Sequence, residues 1–357
     1  GAFANASGDY STAAGAFAYA SGTNSLASGR SAQASGVNST AVGENANAST
    51  AGATAVGGAA NASGAESSAF GTNSVASGSN STASGYGANA GGYSSSAFGN
   101  AANAGGNFAT AVGKGAQAIG TADVALGDYA SATGYYSLAA GTLSNASGYA
   151  SVALGQQASS AGFESTATGV LASAGGVQST ANGAFSNASG DYSVAFGLRA
   201  TATNTDSSSF GKDSVSTGFG ASAIGPRAHS YADDSTAVGF HSATTTAGIA
   251  GTAVGFYATA ANYNAVAIGS NSYSSGQGSA AIGSLAVATG DLSLAAGYSA
   301  FATGANSTAV GNTSYASGDY STAVGSNAYA SGYGATALGE NAQATGDNST
   351  ALGENST

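Results

Sequence analysis

The sequence predicts an all-β fold: a parallel β-solenoid with two short strands per 14-residue coil and about 25 coils. Three observations predict it. Glycine recurs every seventh residue, small residues alternate with larger ones between the glycines, and every second glycine follows an apolar residue. In two registers, Gly1 to Gly239 and Gly248 to Gly353, glycine fills 47 of 51 positions. The exceptions are Thr50, Asn204, Ala232 and Asn262, two of them asparagine, which tolerates a left-handed backbone. The period therefore predicts a positive φ at a recurring turn. Collagen is excluded, because its glycine period is three and this chain has one proline, Pro226.

The elements follow from alignment on the glycine. Two residues before it stands Ala at 44 of 50 positions, and four before it stands Ala or Ser almost everywhere, giving (Ala/Ser)-x-Ala-x-Gly-x-x. Alternation at period two is a strand signature, so each unit predicts a strand of about four or five residues with its small side chains on one face. The residue just before the glycine doubles the period. In every second unit it is apolar at 18 of 25 positions: Val42, Val56, Phe70, Phe98, Val112, Leu126, Leu154, Phe196, Phe210, Ile224, Val238, Val254, Ile268, Ile282, Val310, Val324, Leu338 and Leu352. The intervening units carry Ser or another small or polar residue there, with Ile119 and Tyr231 as large exceptions. Each coil thus pairs an apolar-faced strand such as Ser39 to Gly43 with a polar-faced one such as Ala60 to Gly64. Two strands per coil predict a flat roll, and stacking at ~4.8 Å predicts a rod on the order of 120 Å long.

An Ala/Ser interior buries few methylenes, while 58 glycines must lose their backbone freedom on folding. The apolar ladder lies outside that interior, as a stripe larger than soluble monomers usually expose. Burying each of its side chains contributes roughly 1.5–3 kcal/mol, so the sequence predicts self-association in a rotationally closed homo-oligomer with the ladder on the axis.

Charged residues make up 6% of the chain and the net charge is −11, so no basic face exists for nucleic acid or anionic lipid. Fifteen of the sixteen acids fall one or two residues after a turn glycine or its substitute, where they read as solubilising edge charge. There is no cysteine, hence no thiol chemistry or disulfide. With two histidines and dispersed acids the chain reads as a non-enzyme without cofactor or metal. His229 and His241 lie near Asp233 and Asp234 in sequence, but the spacing matches no strong metal pattern, and a surface role is expected. Asp123 stands at an inward Ala/Ser position and needs hydrogen-bond partners there, with Ser/Thr partners or a register irregularity expected rather than a cation. Asn-x-Ser/Thr tripeptides such as Asn38-Ser39-Thr40 are by-products of the repeat.

The whole chain, residues 1–357, reads as one repeat array whose most irregular coils span about 199–248. That stretch holds Arg199, Lys212, Arg227, both histidines, Pro226, two missing glycines and a two-residue insertion between Gly239 and Gly248. It is expected to perturb one or two coils without ending the array. The chain opens and closes inside a repeat, which reads as a fragment of a longer protein.

The stretches Asn38-Ser39-Thr40-Ala41-Val42-Gly43, Asn306-Ser307-Thr308-Ala309-Val310-Gly311 and Asn348-Ser349-Thr350-Ala351-Leu352-Gly353 resemble the head repeats of YadA-type trimeric autotransporter adhesins, and the likeness extends over nearly every coil. The resemblance implies a left-handed parallel β-roll, a homotrimer, and a place on the surface of a Gram-negative bacterium. It also implies a neck, a stalk and an outer-membrane anchor that these residues do not include. The implied function is a rigid adhesin head binding host extracellular matrix, of the collagen, fibronectin or laminin class, through multivalent contacts. The outward residues Asn47, Asn61, Asn89, Asn103, Gln117, Tyr315, Tyr329 and Gln343 are the candidate ligand surface, and Tyr10, Tyr86, Tyr93, Tyr149, Tyr192, Tyr320 and Tyr333 are expected to be exposed near turns. The alternatives are a spacer without its own ligand and an ice-binding solenoid using the Thr40, Thr54, Thr82, Thr110, Thr166 and Thr180 row.

Overall fold

A computed structural model describes residues 1–357, and it contains 50 strands and no helix. Each coil holds one three-residue strand, such as Thr40–Val42, and one two-residue strand, such as Asn47–Ala48. The strands are shorter than the alternation predicts, because each glycine turn takes the residues that flank it. Like strands pair in parallel with the coil before and after, so Thr40, Ala41 and Val42 align with Thr54, Ala55 and Val56. Two ladders result: an apolar sheet of three-residue strands and a polar sheet of two-residue strands. The chain forms two compact units, Gly1–Gln178 and Ser179–Thr357, each built from this same coil.

The core of each unit is a file of fully buried alanines and serines, one side chain thick, including Ala41 and Ala48 in one coil and Ala309 and Ala316 in another. Backbone amides run along the stack, as in Thr40 N–H to Ala53 O at 2.9 Å and Asn47 N–H to Ala60 O at 2.8 Å. With so little apolar volume inside, these inter-coil bonds carry much of the order within a unit.

The positive φ that the sequence suggests accounts for half of the glycine period, and close approach between coils accounts for both halves. Positive φ occurs only at the glycine that follows the apolar-sheet strand, as at Gly43 (131°) and Gly311 (133°). The glycine that follows the polar-sheet strand has no positive φ, and all four exceptions, Thr50, Asn204, Ala232 and Asn262, fall in that second set. Both sets are glycine because adjacent coils nearly touch there: a Cβ on Gly43 would lie 2.4 Å from the Gly57 carbonyl oxygen, and one on Gly318 would lie 2.1 Å from that of Gly332. The left-handed residue sits two places after the glycine instead, with φ of 57° at Asn38 and 56° at Asn45. That conformation aims its amide along the stack, as in Asn38 N–H to Thr23 O at 2.8 Å. Twelve asparagines occupy this position, which is the sequence signal for it. At three exceptions the side chain itself reaches the next coil: Thr50 Oγ1 donates to Gly64 O at 2.6 Å, Asn204 Nδ2 to Thr217 O at 3.3 Å and Asn262 Nδ2 to Ser275 O at 3.1 Å, while Ala232 stands just before the lengthened coil.

The insertion is absorbed in one turn. Thr236–Val238 aligns with Thr252–Val254, and Ala243–Thr244 with Thr259–Ala260, so both ladders continue with a spacing of 16 residues instead of 14. The extra residues lie in the turn after Thr244, where Gly248 N–H donates to Thr245 O at 2.9 Å and Gly251 N–H to Gly248 O at 2.8 Å. Thr244 fills an inward position and its hydroxyl meets Ser235 Oγ at 2.9 Å.

Asp123 is fully buried and satisfied by protein groups alone. Its Oδ2 accepts from Gly120 N–H at 2.7 Å, and its Oδ1 accepts from Ser137 N–H at 2.8 Å and Ser137 Oγ–H at 2.9 Å. In other coils the amide equivalent to Ser137 bonds the glycine carbonyl three residues back, as Ser151 does to Gly148. Asp123 takes over that bond, and Tyr135 and Tyr136 both adopt positive φ in the altered turn.

Candidate interaction surfaces

Outside the core each coil presents two faces and two turn edges. On the apolar sheet the first and third residues of each strand point outward, and the third forms the predicted ladder. In unit two Phe196, Phe210, Ile224 and Val238 align in consecutive coils, followed by Val254, Ile268 and Ile282. The Phe196 and Phe210 rings stack at 6.3 Å. Exposure in the single chain runs from 37% at Val324 to 64% at terminal Leu352 among the more open members. Val42, Val56, Leu154, Val238, Val254 and Val310 are half-buried. Neighbouring coils already cover part of each side chain, so burial by a partner adds about 1 kcal/mol apiece rather than the full transfer value.

The ladder is more complete than its own column shows. At three of the seven gaps, Ser28, Ala140 and Ala296, the first residue of the same strand is Leu26, Leu138 or Leu294, whereas at Ala14, Ser84, Thr168 and Asn182 it is threonine. In the three leucine coils the apolar group moves sideways by one row and stays on the same face. Reading the two columns together would have revealed this in the sequence. The Thr40 and Thr54 hydroxyl row shares the face with Val42 and Val56.

On the polar sheet the candidate ligand residues do align: Asn47 with Asn61, Asn89 with Asn103, Asn103 with Gln117, Tyr315 with Tyr329, and Tyr329 with Gln343. The rows differ in what they leave free. Asn47 Nδ2 donates to Asn61 Oδ1 at 3.0 Å and Asn89 Nδ2 to Asn103 Oδ1 at 2.9 Å, and all four side chains are half-buried. Phe301, Tyr315 and Tyr329 instead form an aromatic file, the two tyrosines stacked at 5.4 Å. The seven turn tyrosines are all exposed, led by Tyr10 at 90%.

The irregular stretch gathers an aromatic and cationic group on one turn edge. Phe240 stacks on Phe256 at 5.5 Å and His241 on Tyr257 at 4.7 Å, while Arg227 lies 3.3 Å from His241 Nε2. His229 faces outward on the polar sheet beside Tyr231. Burial first, and the neighbouring His241 second, lower its pKa below the ordinary histidine value. His229, His241, Asp233 and Asp234 do not converge, and no group of three metal-ligating side chains occurs. Surface hollows beside Phe185, Leu198 and Arg199, and beside Tyr263, Gln277 and Asp291, gather no acid–base pair. No helix is long and apolar enough to cross a membrane.

Comparison with known families gives a model described as the YadA head domain repeat, in two copies per match, aligned in successive segments, some overlapping and some nearly abutting, from residues 1–18 and 6–32 to 302–328 and 330–356. The alignment breaks at 243–246, where the insertion begins. A search of curated proteins gives no match. The coil period, the two-faced strands and the family match along nearly the whole sequence agree, and the chain belongs to the YadA head domain repeat family, a family of adhesin-type heads.

Proposed function

We propose that this chain is the head of a homotrimeric surface adhesin, in which the apolar ladders of three chains pack around a common axis and the polar sheets face host extracellular matrix. The observation that carries the reading is the apolar ladder itself, an outward row of Val, Phe, Leu and Ile side chains left open in the single chain. Closed rotational symmetry buries the same row of every copy at once. The family supports three copies, a site outside the cell and a tether to the outer membrane.

Ligand contact falls to the aromatic file of Phe301, Tyr315 and Tyr329 on the outward polar sheet, which offers large contact area at low entropy cost. Collagen, fibronectin and laminin are the first ligands to test, with full-length and shortened trimers on immobilised protein. Loss of binding on shortening supports multivalent contact, whereas equal binding points to one discrete site. Where asparagines bond one another along a row, as Asn47 does to Asn61, the coils fit the spacer role better, because part of their hydrogen-bonding capacity is already used. Ice binding fits poorly, because the threonine row shares the face that the trimer buries.

A further inference from the structure

The two turn edges carry different charge. All five cations, Arg30, Lys114, Arg199, Lys212 and Arg227, follow the glycine of the apolar-sheet strand. Five acids share that edge, leaving it neutral: Glu44, Asp128, Asp213, Glu340 and Glu354. The opposite edge, after the polar-sheet strand, carries ten acids and no cation. With Asp123 buried, nearly all of the net charge of −11 lies on one edge.

Part of this acidity has a local use. Asp233 Oδ1 accepts from Phe219 N–H at 2.8 Å, and Asp291 and Asp319 accept in the same way from Gln277 and Ala305. That bond explains a carboxylate or an amide at the position, since Asn107 makes it to Tyr93 N–H at 3.0 Å. It does not explain why every cation avoids the acidic edge.

Rotational symmetry does. In a closed ring about an axis parallel to the stack, contacts between neighbours are heterologous, so one edge of each chain meets the opposite edge of the next. Resting on the trimeric reading, we propose that the edge carrying Arg199, Lys212 and Arg227 docks on Asp206, Asp233 and Asp234 of a second copy of this chain. These contacts key the register of the chains against one another.

Two features place the key in this stretch. A ladder of similar coils specifies register poorly, because a slip of one coil sets apolar against apolar again. Degeneracy is greatest from Phe196 to Ile282, where seven consecutive coils present an apolar residue without interruption. The cations concentrate in the same coils. Arg199 is held by Asp213 at 2.7 Å within its own edge, but Lys212 and Arg227 are exposed and have no carboxylate partner. Asp206 and Asp234 are likewise exposed, on the opposite edge and two coils apart, with Gly220 at the equivalent place between them. Closed symmetry without slip brings like heights together, so the cationic and acidic groups meet.

The test uses the absence of native cysteine. Val238→Cys on the axis cross-links chains in register under oxidation, and a slip separates the thiols. In that background Lys212→Glu/Arg227→Glu should lower the in-register yield about tenfold, the sum of several modest pairs repeated around the ring. Adding Asp206→Lys/Asp234→Lys to the same chain swaps both edges and should restore the yield. Lys212→Gln/Arg227→Gln, with folding checked by circular dichroism, should fall between. An unchanged yield in the Glu variant, or a folded swap that stays low, overturns the key while leaving the trimer standing. A monomeric parent chain overturns the trimer and the key together.

Discussion

The half of each coil that faces the proposed axis is built to a stricter rule than the half that faces outward. After the apolar-sheet strand the glycine never varies, and three of the seven gaps in the ladder, at Ser28, Ala140 and Ala296, are filled from the neighbouring row by leucine. After the polar-sheet strand the glycine gives way to Thr50, Asn204, Ala232 and Asn262, and the outward row runs through Asn, Gln, Tyr, Val, His and Phe. The difference teaches that two demands act on one period. Close approach of coils constrains both halves, but in the polar half it yields, at Thr50, Asn204 and Asn262 to a side chain that bonds the next coil and at Ala232 just before the lengthened one. Positive φ together with close approach does not yield.

The largest effect should come from breaking the strict half. Val310→Asp/Val324→Asp places six carboxylates on the axis of a trimer, where desolvation is very unfavourable, and light scattering should show only monomers. Tyr315→Asp/Tyr329→Asp, one strand further on in the same coils, should leave the trimer intact.

Glycine substitution sharpens the contrast next. Gly311→Ala combines a φ of 133° with a Cβ 2.3 Å from the Gly325 oxygen and should cost roughly 2–4 kcal/mol. Gly318→Ala meets only the close approach, at a position type that accepts Ala232, and should cost about 1–2 kcal/mol. Amide exchange in the flanking coils reads the difference.

Asp123 offers a third comparison, with the cavity-lining alanines of other coils. Ser137→Ala removes the hydroxyl from a buried carboxyl group and should cost about 1–3 kcal/mol. Asp123→Ala returns the coil to the common pattern and frees Ser137 N–H for the turn carbonyl, so it should change stability by less than about 1 kcal/mol. Denaturant unfolding of the two variants gives the ranking.

The smallest effect concerns pH. The folded state resists the proton that an unfolded His229 takes up near about pH 6.5, because its pKa is lowered by burial and by His241. The stability that this group contributes is therefore present above that pH and declines as pH falls toward the folded value. His229→Gln should flatten the decline in thermal melts between about pH 7 and 5.

Period, alternation and the residue before each glycine made the two-sheet coil, its thin interior and the outward ladder legible in the sequence. The turn conformation was legible in the glycines after the apolar-sheet strand, which do take positive φ, but not in the other half, which answer to steric crowding between coils alone. It was also written in the asparagines two places later, at Asn38 and Asn45. The surface was legible as rows but not as chemistry. Asn47 and Asn61 read as part of the ligand surface, yet their alignment across 14 residues lets Asn47 donate to Asn61. The segregation of cations from acids was present in the sequence throughout and emerged only when each turn could be assigned to an edge.

Burial of the apolar ladder between copies is the central claim, and the mass of the protein in solution tests it most directly. Sedimentation equilibrium on the unmodified chain should give three times its 33.1 kDa across the micromolar range. A single species at 33.1 kDa would contradict the account, because the ladder would then face water.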